Sequence, residues 1–158
     1  MKLKLVTAAV LGLLATTTFA APTLYGEIDA SIDYLPEKNA TKANKDVVEI
    51  VQKANYLKFY TNLITSGVGA PKGIVAKLKE AGLKTVQLGI QSHDRDTMTL
   101  ITNNKNSFDE KMAFAKEVKE AGLQLIINTC ITRQNIHQVG EIIELAEKLG
   151  ANYLEIAN

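Results

Sequence analysis

The sequence predicts an α/β protein with about four parallel βα units, because one pattern recurs through most of the chain. An apolar run from Leu57 to Ile64 ends in hydroxyl, amide and glycine residues, and a helix-period stretch follows from Pro71. Gly82, Gly122 and Gly150 close the helical stretches, where a left-handed residue is needed. Since crossovers between parallel strands are right-handed, the strands are expected to form one parallel sheet.

The pattern also predicts where a ligand would bind. We expect strands over 57–65, 85–91, 125–131 and 152–157, main helices over 74–81, 107–121 and 136–149, and shorter helices over 47–56 and 97–101. Four such units are half of a (β/α)₈ barrel or most of a small doubly wound sheet, and both folds bind ligands at the carboxyl ends of their strands. The residues that this rule selects are Thr61, Asn62, Gln91, Ser92, His93, Arg133, Gln134, Asn135 and Asn158.

Composition excludes several classes of function. The chain has 158 residues, a net charge of +1 and a single cysteine. This charge gives no indication of a nucleic-acid partner. One cysteine excludes an internal disulfide and any metal site of several thiolates within the chain. His93, Asp94, Cys130 and His137 lack the spacing of a metal-ligand set, so we predict no metal site.

Several polar residues have purely structural interpretations. Ser107 to Glu110 has the pattern of a capping box, and Asp94 or Asp96 is expected to cap the short helix that follows it. Asn135 is expected to cap the last helix, and Cys130 to be a small core residue. The lysines and glutamates of 111–120 are expected to form a solvated helix face.

The first fifty residues differ from the rest. Residues 1–20 have two early lysines, a short apolar run and Thr18-Phe19-Ala20, as in a secretory signal peptide. In 21–50, positions 24–34 alternate apolar and polar like one amphipathic strand, and 35–46 lack periodicity, as in a linker. Signal peptide and strand together resemble the start of a Gram-negative general porin, which implies export. The predicted α/β domain is 51–158.

The α/β part resembles a known family. Four blocks carry the resemblance: Phe59 to Gly67, Val86 to Gln91, Asn128 to Ile136, and Leu154 to Asn158. Their sequence and spacing are similar to the middle of the radical SAM peptide cyclases of pyrroloquinoline quinone biosynthesis. The resemblance implies a partial (β/α) barrel of the radical SAM type.

The resemblance also implies chemistry. Members of this family bind S-adenosylmethionine against a [4Fe-4S] cluster and form a 5′-deoxyadenosyl radical. They cross-link a Glu and a Tyr of a precursor peptide that a peptide chaperone presents. By position, the cofactor-binding or substrate-binding residues would be Thr61, Asn62, Gln91, Asn128, Arg133 and Asn135. Gly89 stands where many radical SAM proteins have a serine.

The sequence departs from the family at the cluster. The family's C-x-x-x-C-x-x-C motif, whose thiolates hold three irons, is not in the sequence, and neither is its glycine-rich second-strand motif. We therefore predict no catalytic residue and no catalysis by this chain alone.

Other interpretations stay open at this point. One is a non-radical (β/α) barrel enzyme or ligand binder, and another is an exported porin-like envelope protein. The leader indicates the periplasm or outer membrane, whereas radical SAM chemistry needs the reducing cytoplasm. Unpaired strands at both edges of a half barrel predict self-association.

Overall fold

The computed structural model describes residues 40–157 of the chain. The predicted signal peptide, the porin-like strand at 24–34 and Asn158 lie outside the described residues. No helix among those described is long and apolar enough to cross a membrane. The elements are α1 Ala40–Tyr56, β1 Asn62–Thr65, α2 Ile74–Glu80, β2 Thr85–Gly89, α3 Arg95–Thr102, α4 Ser107–Glu120, β3 Gln124–Cys130, a 3₁₀ turn Ile136–Gln138, α5 Val139–Lys148 and β4 Tyr153–Ala157.

The strands form one parallel sheet in the order β1-β2-β3-β4, as the sequence predicts. Helices lie between successive strands, so the chain progresses across the sheet in one direction. This is the α/β arrangement of a partial barrel, with β1 and β4 at the two edges of the described sheet.

One face of the sheet carries the hydrophobic core. Side chains alternate between the two faces of a strand, and Val86, Leu88, Leu125 and Ile127 all point to the same face. They are buried with residues of the covering helices, among them Leu78 of α2. Each such side chain contributes about 1.5–3 kcal/mol by leaving water. The intervening residues therefore lie on the opposite face, which we call the open face.

The first strand is shorter than predicted, so that Asn62 begins it and does not lie near its carboxyl end. Residues 57–61 do not belong to β1, because α1 continues to Tyr56 and closes with hydrogen bonds from Leu57 N to Lys53 O and from Phe59 N to Ala54 O. Lys58 takes a left-handed conformation (φ 67°) in this closure. The prediction of a loop over 35–46 is wrong from residue 40 onward, where α1 begins.

Three local predictions concern helix ends. Gly82, Gly122 and Gly150 have positive φ as predicted, and Asp94 caps α3 by accepting a 2.8 Å hydrogen bond from Thr97 N. The capping box at 107–110 is wrong, because Ser107 lies inside α4 and its buried hydroxyl donates to Asn104 O at 2.8 Å. The turn at Asn104 to Ser107 leads into the helix, because both the hydroxyl and the backbone nitrogen of Ser107 donate to Asn104 O.

Candidate functional site

The carboxyl ends of the strands carry a different set of residues from the predicted one. Thr61 and Asn62 stand at the amino end of β1, and the residues that follow this strand are Ser66 and Gly67. Thr61 is buried, and its hydroxyl donates to Gly82 O at 3.0 Å. The placement of these two residues at a carboxyl strand end is therefore wrong, because the preceding apolar residues close a helix instead of extending the strand.

Asn62 nevertheless reaches the open face. Its side-chain amide donates to Gln87 Oε1 at 3.4 Å, and Gln87 Nε2 donates to a carboxylate oxygen of Glu155. These three side chains form a polar chain that crosses the open face from β1 to β4. Gln87 and Glu155 were not among the predicted residues. The signals for them are a glutamine inside an apolar strand and the alternation within the last strand.

Gln91 and Asn128 lie at the carboxyl end of the open face. Asn128 is the Cα partner of Gly89 on one side and of Glu155 on the other. The side-chain amide nitrogen of Gln91 lies 3.2 Å from the position that a Cβ on Gly89 would occupy. The Gln91 side chain therefore lies over Gly89, and the amide of Asn128 and the carboxylate of Glu155 follow in the same row of the sheet.

Asn135 has a structural role in the fold. Its side chain is fully buried; Oδ1 accepts from Thr132 N at 2.7 Å, and Nδ2 donates to Gln91 O and Cys130 O at 2.8 and 2.9 Å. Asn135 stands at the N-cap position of the helical turn that follows, as predicted, but its side chain makes no capping hydrogen bond there. The amide instead joins the loop after β2 to the loop after β3.

Gln138 supports the same junction from one turn further on. It accepts from Ser92 Oγ at 2.7 Å and donates to Asp94 Oδ2 and Thr97 Oγ1 at 2.7 and 3.0 Å. The backbone hydrogen bond from Thr97, with its side chain and those of Gln138 and Ser92, lowers the pKa of Asp94 against the opposing effect of desolvation. The loop that carries Gln91 is thus held by a network of buried and half-buried groups.

Arg133 and Cys130 are both exposed near this edge. The prediction that Cys130 is a core residue is wrong, because it ends β3 on the open face. Among the described residues, no cluster of three or more His, Cys, Asp or Glu side chains could hold a metal ion.

A buried lysine sits beneath two of the strand ends. Lys111 of α4 is 2% exposed, and its ammonium donates to Ser66 O at 2.8 Å and to Gly89 O. Desolvation lowers the pKa of Lys111 to about 8. The prediction of a solvated face over 111–120 is wrong at this residue. Its spacing of three, four and seven from Phe114, Ala115 and Val118 on the buried stripe was the available signal.

The neighbouring Glu110 holds the loop after β1. Its carboxylate accepts a 2.7 Å hydrogen bond from Gly69 N, while Lys111 binds Ser66 O on the same loop. Two consecutive residues of α4 therefore fix the loop that leaves the first strand. The loop at this carboxyl edge of the sheet is thus held by side chains of α4.

Comparison with known proteins identifies the family of this chain. Residues 18–146 match the family model described as the radical SAM superfamily. The chain belongs to the radical SAM superfamily, whose proteins use S-adenosylmethionine and a [4Fe-4S] cluster.

The particular relatives are PqqA peptide cyclases. The chain is 47% identical over 116 residues to the PqqA peptide cyclase of Methylorubrum populi. It is 46% identical over the same length to that of Methylorubrum extorquens. The match covers 73% of this chain, and the chain spans 30% of the length of these relatives.

Solved structures share the fold. SuiB of Streptococcus suis matches with a TM-score of 0.63 at 22% identity, covering 72% of this chain and 26% of SuiB, and it has been solved with S-adenosylmethionine. It has also been solved with its precursor peptide SuiA. The methyltransferase TsrM of Kitasatospora setae matches with a TM-score of 0.58 at 12% identity, covering 77% of this chain and 26% of TsrM.

Proposed function

We propose that this chain binds S-adenosylmethionine and a precursor peptide at the carboxyl edge of its open face, as part of the chemistry of a PqqA peptide cyclase. The observation that carries the proposal is the pair of amides at this edge, with Gln91 lying over Gly89 and Asn128 on the neighbouring strand. Arg133 is exposed at the same edge and is the third proposed contact. Similarity to the peptide cyclases supports the choice of ligands.

The residues fit the two cofactors of the superfamily differently. Amide groups on the open face suit a nucleoside with an amino-acid tail, which offers many donors and acceptors. A [4Fe-4S] cluster needs several thiolates, and the sequence has one cysteine. We therefore assign binding and positioning to this chain and no redox step.

Binding can be measured by titration calorimetry of the full chain with S-adenosylmethionine. We expect saturable binding, which Asn128→Ala and Gln91→Ala each weaken about fivefold to tenfold by removing one hydrogen-bonding group. Asn106→Ala is the matched control, because Asn106 is exposed at the start of α4 and its side chain makes no cap. Equal affinity in all four proteins would refute the proposed contacts.

The assignment of binding without cleavage has its own test. The full chain is incubated with iron, sulfide, a strong reductant and S-adenosylmethionine, and 5′-deoxyadenosine is measured by chromatography. We expect none above a protein-free control, since no set of three cysteines is in the sequence. Release of 5′-deoxyadenosine that depends on the protein would show that the chain holds a cluster in some other way.

A further inference from the structure

Three residues lie in one row across the open face, at the place that we call the niche. Gly89, Asn128 and Glu155 are partners across β2, β3 and β4, and Gly89 contributes no side chain. The side-chain amide nitrogen of Gln91 lies 3.2 Å from the position that a Cβ on Gly89 would occupy, so it covers this end of the row. No described residue forms a hydrogen bond with the side-chain amide of Asn128, so its oxygen and nitrogen are available to a ligand.

The hydrogen bonds below the niche fix the direction of its carboxylate. Gln87 is 8% exposed, and its amide oxygen accepts from Asn62 while its nitrogen donates to Glu155 Oε2. The bond from Asn62 orients the Gln87 side chain, so that its nitrogen and not its oxygen faces Glu155. Among the described residues, no lysine, arginine or histidine pairs with Glu155, so its negative charge is not neutralised within this part of the chain.

A tyrosine lies on the same face of β4 as this carboxylate. Tyr153 precedes Glu155 by two residues, so both side chains point to the open face, and Tyr153 is 64% exposed. The niche thus joins a carboxylate and an amide oxygen to an exposed ring. A primary ammonium on an aliphatic stem satisfies all of them, because the head is a hydrogen-bond donor and cation while the stem packs on the ring.

We propose that the niche of Gly89, Asn128, Glu155 and Tyr153 binds the side-chain ammonium of a lysine in a peptide. The proposal rests on the proposed function in that it assigns the peptide a contact on the same open face. It adds a chemical requirement for the peptide: a lysine that reaches β4. An acidic side chain at this position would meet the charge of Glu155 and be repelled.

The probe is an N-acetylated, C-amidated glycine-serine hexapeptide with one lysine. It is titrated into the full chain while the side-chain amide signal of Asn128 is followed by NMR. We expect saturable binding that Glu155→Gln weakens about fivefold, the effect of a partly exposed ion pair. The same peptide with norleucine in place of lysine should bind at least fivefold more weakly. Glu147→Gln is the matched control, since Glu147 is an exposed residue of α5.

Other outcomes would overturn the proposal. These are no saturable binding by the unaltered chain, equal binding of the norleucine peptide, or unchanged affinity in Glu155→Gln. Glu155→Asp, which keeps the charge with a shorter reach, should bind the lysine peptide with an affinity between those of the unaltered chain and Glu155→Gln. If the unaltered chain binds S-adenosylmethionine but not the lysine peptide, this inference alone is refuted. If it binds the lysine peptide but not S-adenosylmethionine, the proposed cofactor binding alone is refuted.

Discussion

At the scale of single residues, Lys111 makes a prediction about pH. Its folded-state pKa is lowered to about 8 from an ordinary value of 10.5, so between these pH values the unfolded chain binds more protons. The free energy of unfolding should therefore rise with pH across this window, by about 2–3 kcal/mol from this residue. Urea unfolding at a series of pH values measures it.

Variants isolate the contribution of Lys111 from those of other groups that titrate in the same range. In Lys111→Met the rise should be absent, whereas Lys105→Met, at an exposed lysine in the turn before α4, should keep it. If the unaltered chain and Lys111→Met give parallel curves from pH 7.5 to 10.5, the ammonium is not held in the buried position that the structure shows.

Asn135 makes a prediction about stability. Replacing it with alanine removes two donors and an acceptor, and leaves the carbonyls of Gln91 and Cys130 and the backbone nitrogen of Thr132 without this partner. We expect a loss of about 2–4 kcal/mol in the free energy of unfolding. Gln134→Ala is the control, because Gln134 is exposed. A loss below about 1 kcal/mol for Asn135→Ala would contradict the structural role.

At the scale of elements, the loop after β1 depends on a glycine for two separate reasons. Gly67 has φ +71°, and a Cβ there would lie 2.8 Å from Leu88 Cδ1 and 3.1 Å from Phe114 Cδ1. Gly122, with φ +66°, has no atom within 4 Å of its Cβ position. Gly122→Ala should cost about 1–2 kcal/mol from the backbone, and Gly67→Ala about 1–3 kcal/mol more from crowding. Equal unfolding free energies for the two variants would contradict the packing of this loop.

The elements also show what sequence can predict. Apolar periodicity and glycine positions sufficed for the parallel strands, their order along the chain and the helix ends at residues 82, 122 and 150. The beginning of β1 was wrong because an apolar run of Leu57 to Tyr60 has the same composition in a strand and in a helix closure. The periodicity of apolar residues does not distinguish a strand from a helix closure in so short a run.

Site residues were harder to predict than elements. Gln91, Asn128 and Arg133 lie at the predicted edge, whereas Thr61 and Asn135 make internal hydrogen bonds. The role of a polar side chain depends on which neighbours the sheet register brings to it. Glu155 became a candidate only when β4 was paired with β3.

At the scale of the whole molecule, the two edge strands of the described sheet lead us to expect self-association. Ile64 on β1 is 69% exposed, and an unpaired strand offers backbone groups to another sheet edge. We expect concentration-dependent association of the full chain in sedimentation velocity, reduced by Ile64→Lys. Leu100→Lys is the control, because Leu100 is 70% exposed on α3. A monomer at all concentrations, or equal association of both variants, would contradict this use of the edge.

NMR of side-chain amides can show whether S-adenosylmethionine binds at the carboxyl edge of the open face. S-adenosylmethionine is titrated into the isotopically labelled full chain, and the amide signals of Gln91 and Asn128 are compared with that of Asn106. We predict saturable shifts for Gln91 and Asn128 and none for Asn106, which lies at the start of α4. Unmoved signals for Gln91 and Asn128, or shifts as large at Asn106, would show that S-adenosylmethionine does not bind specifically at this edge.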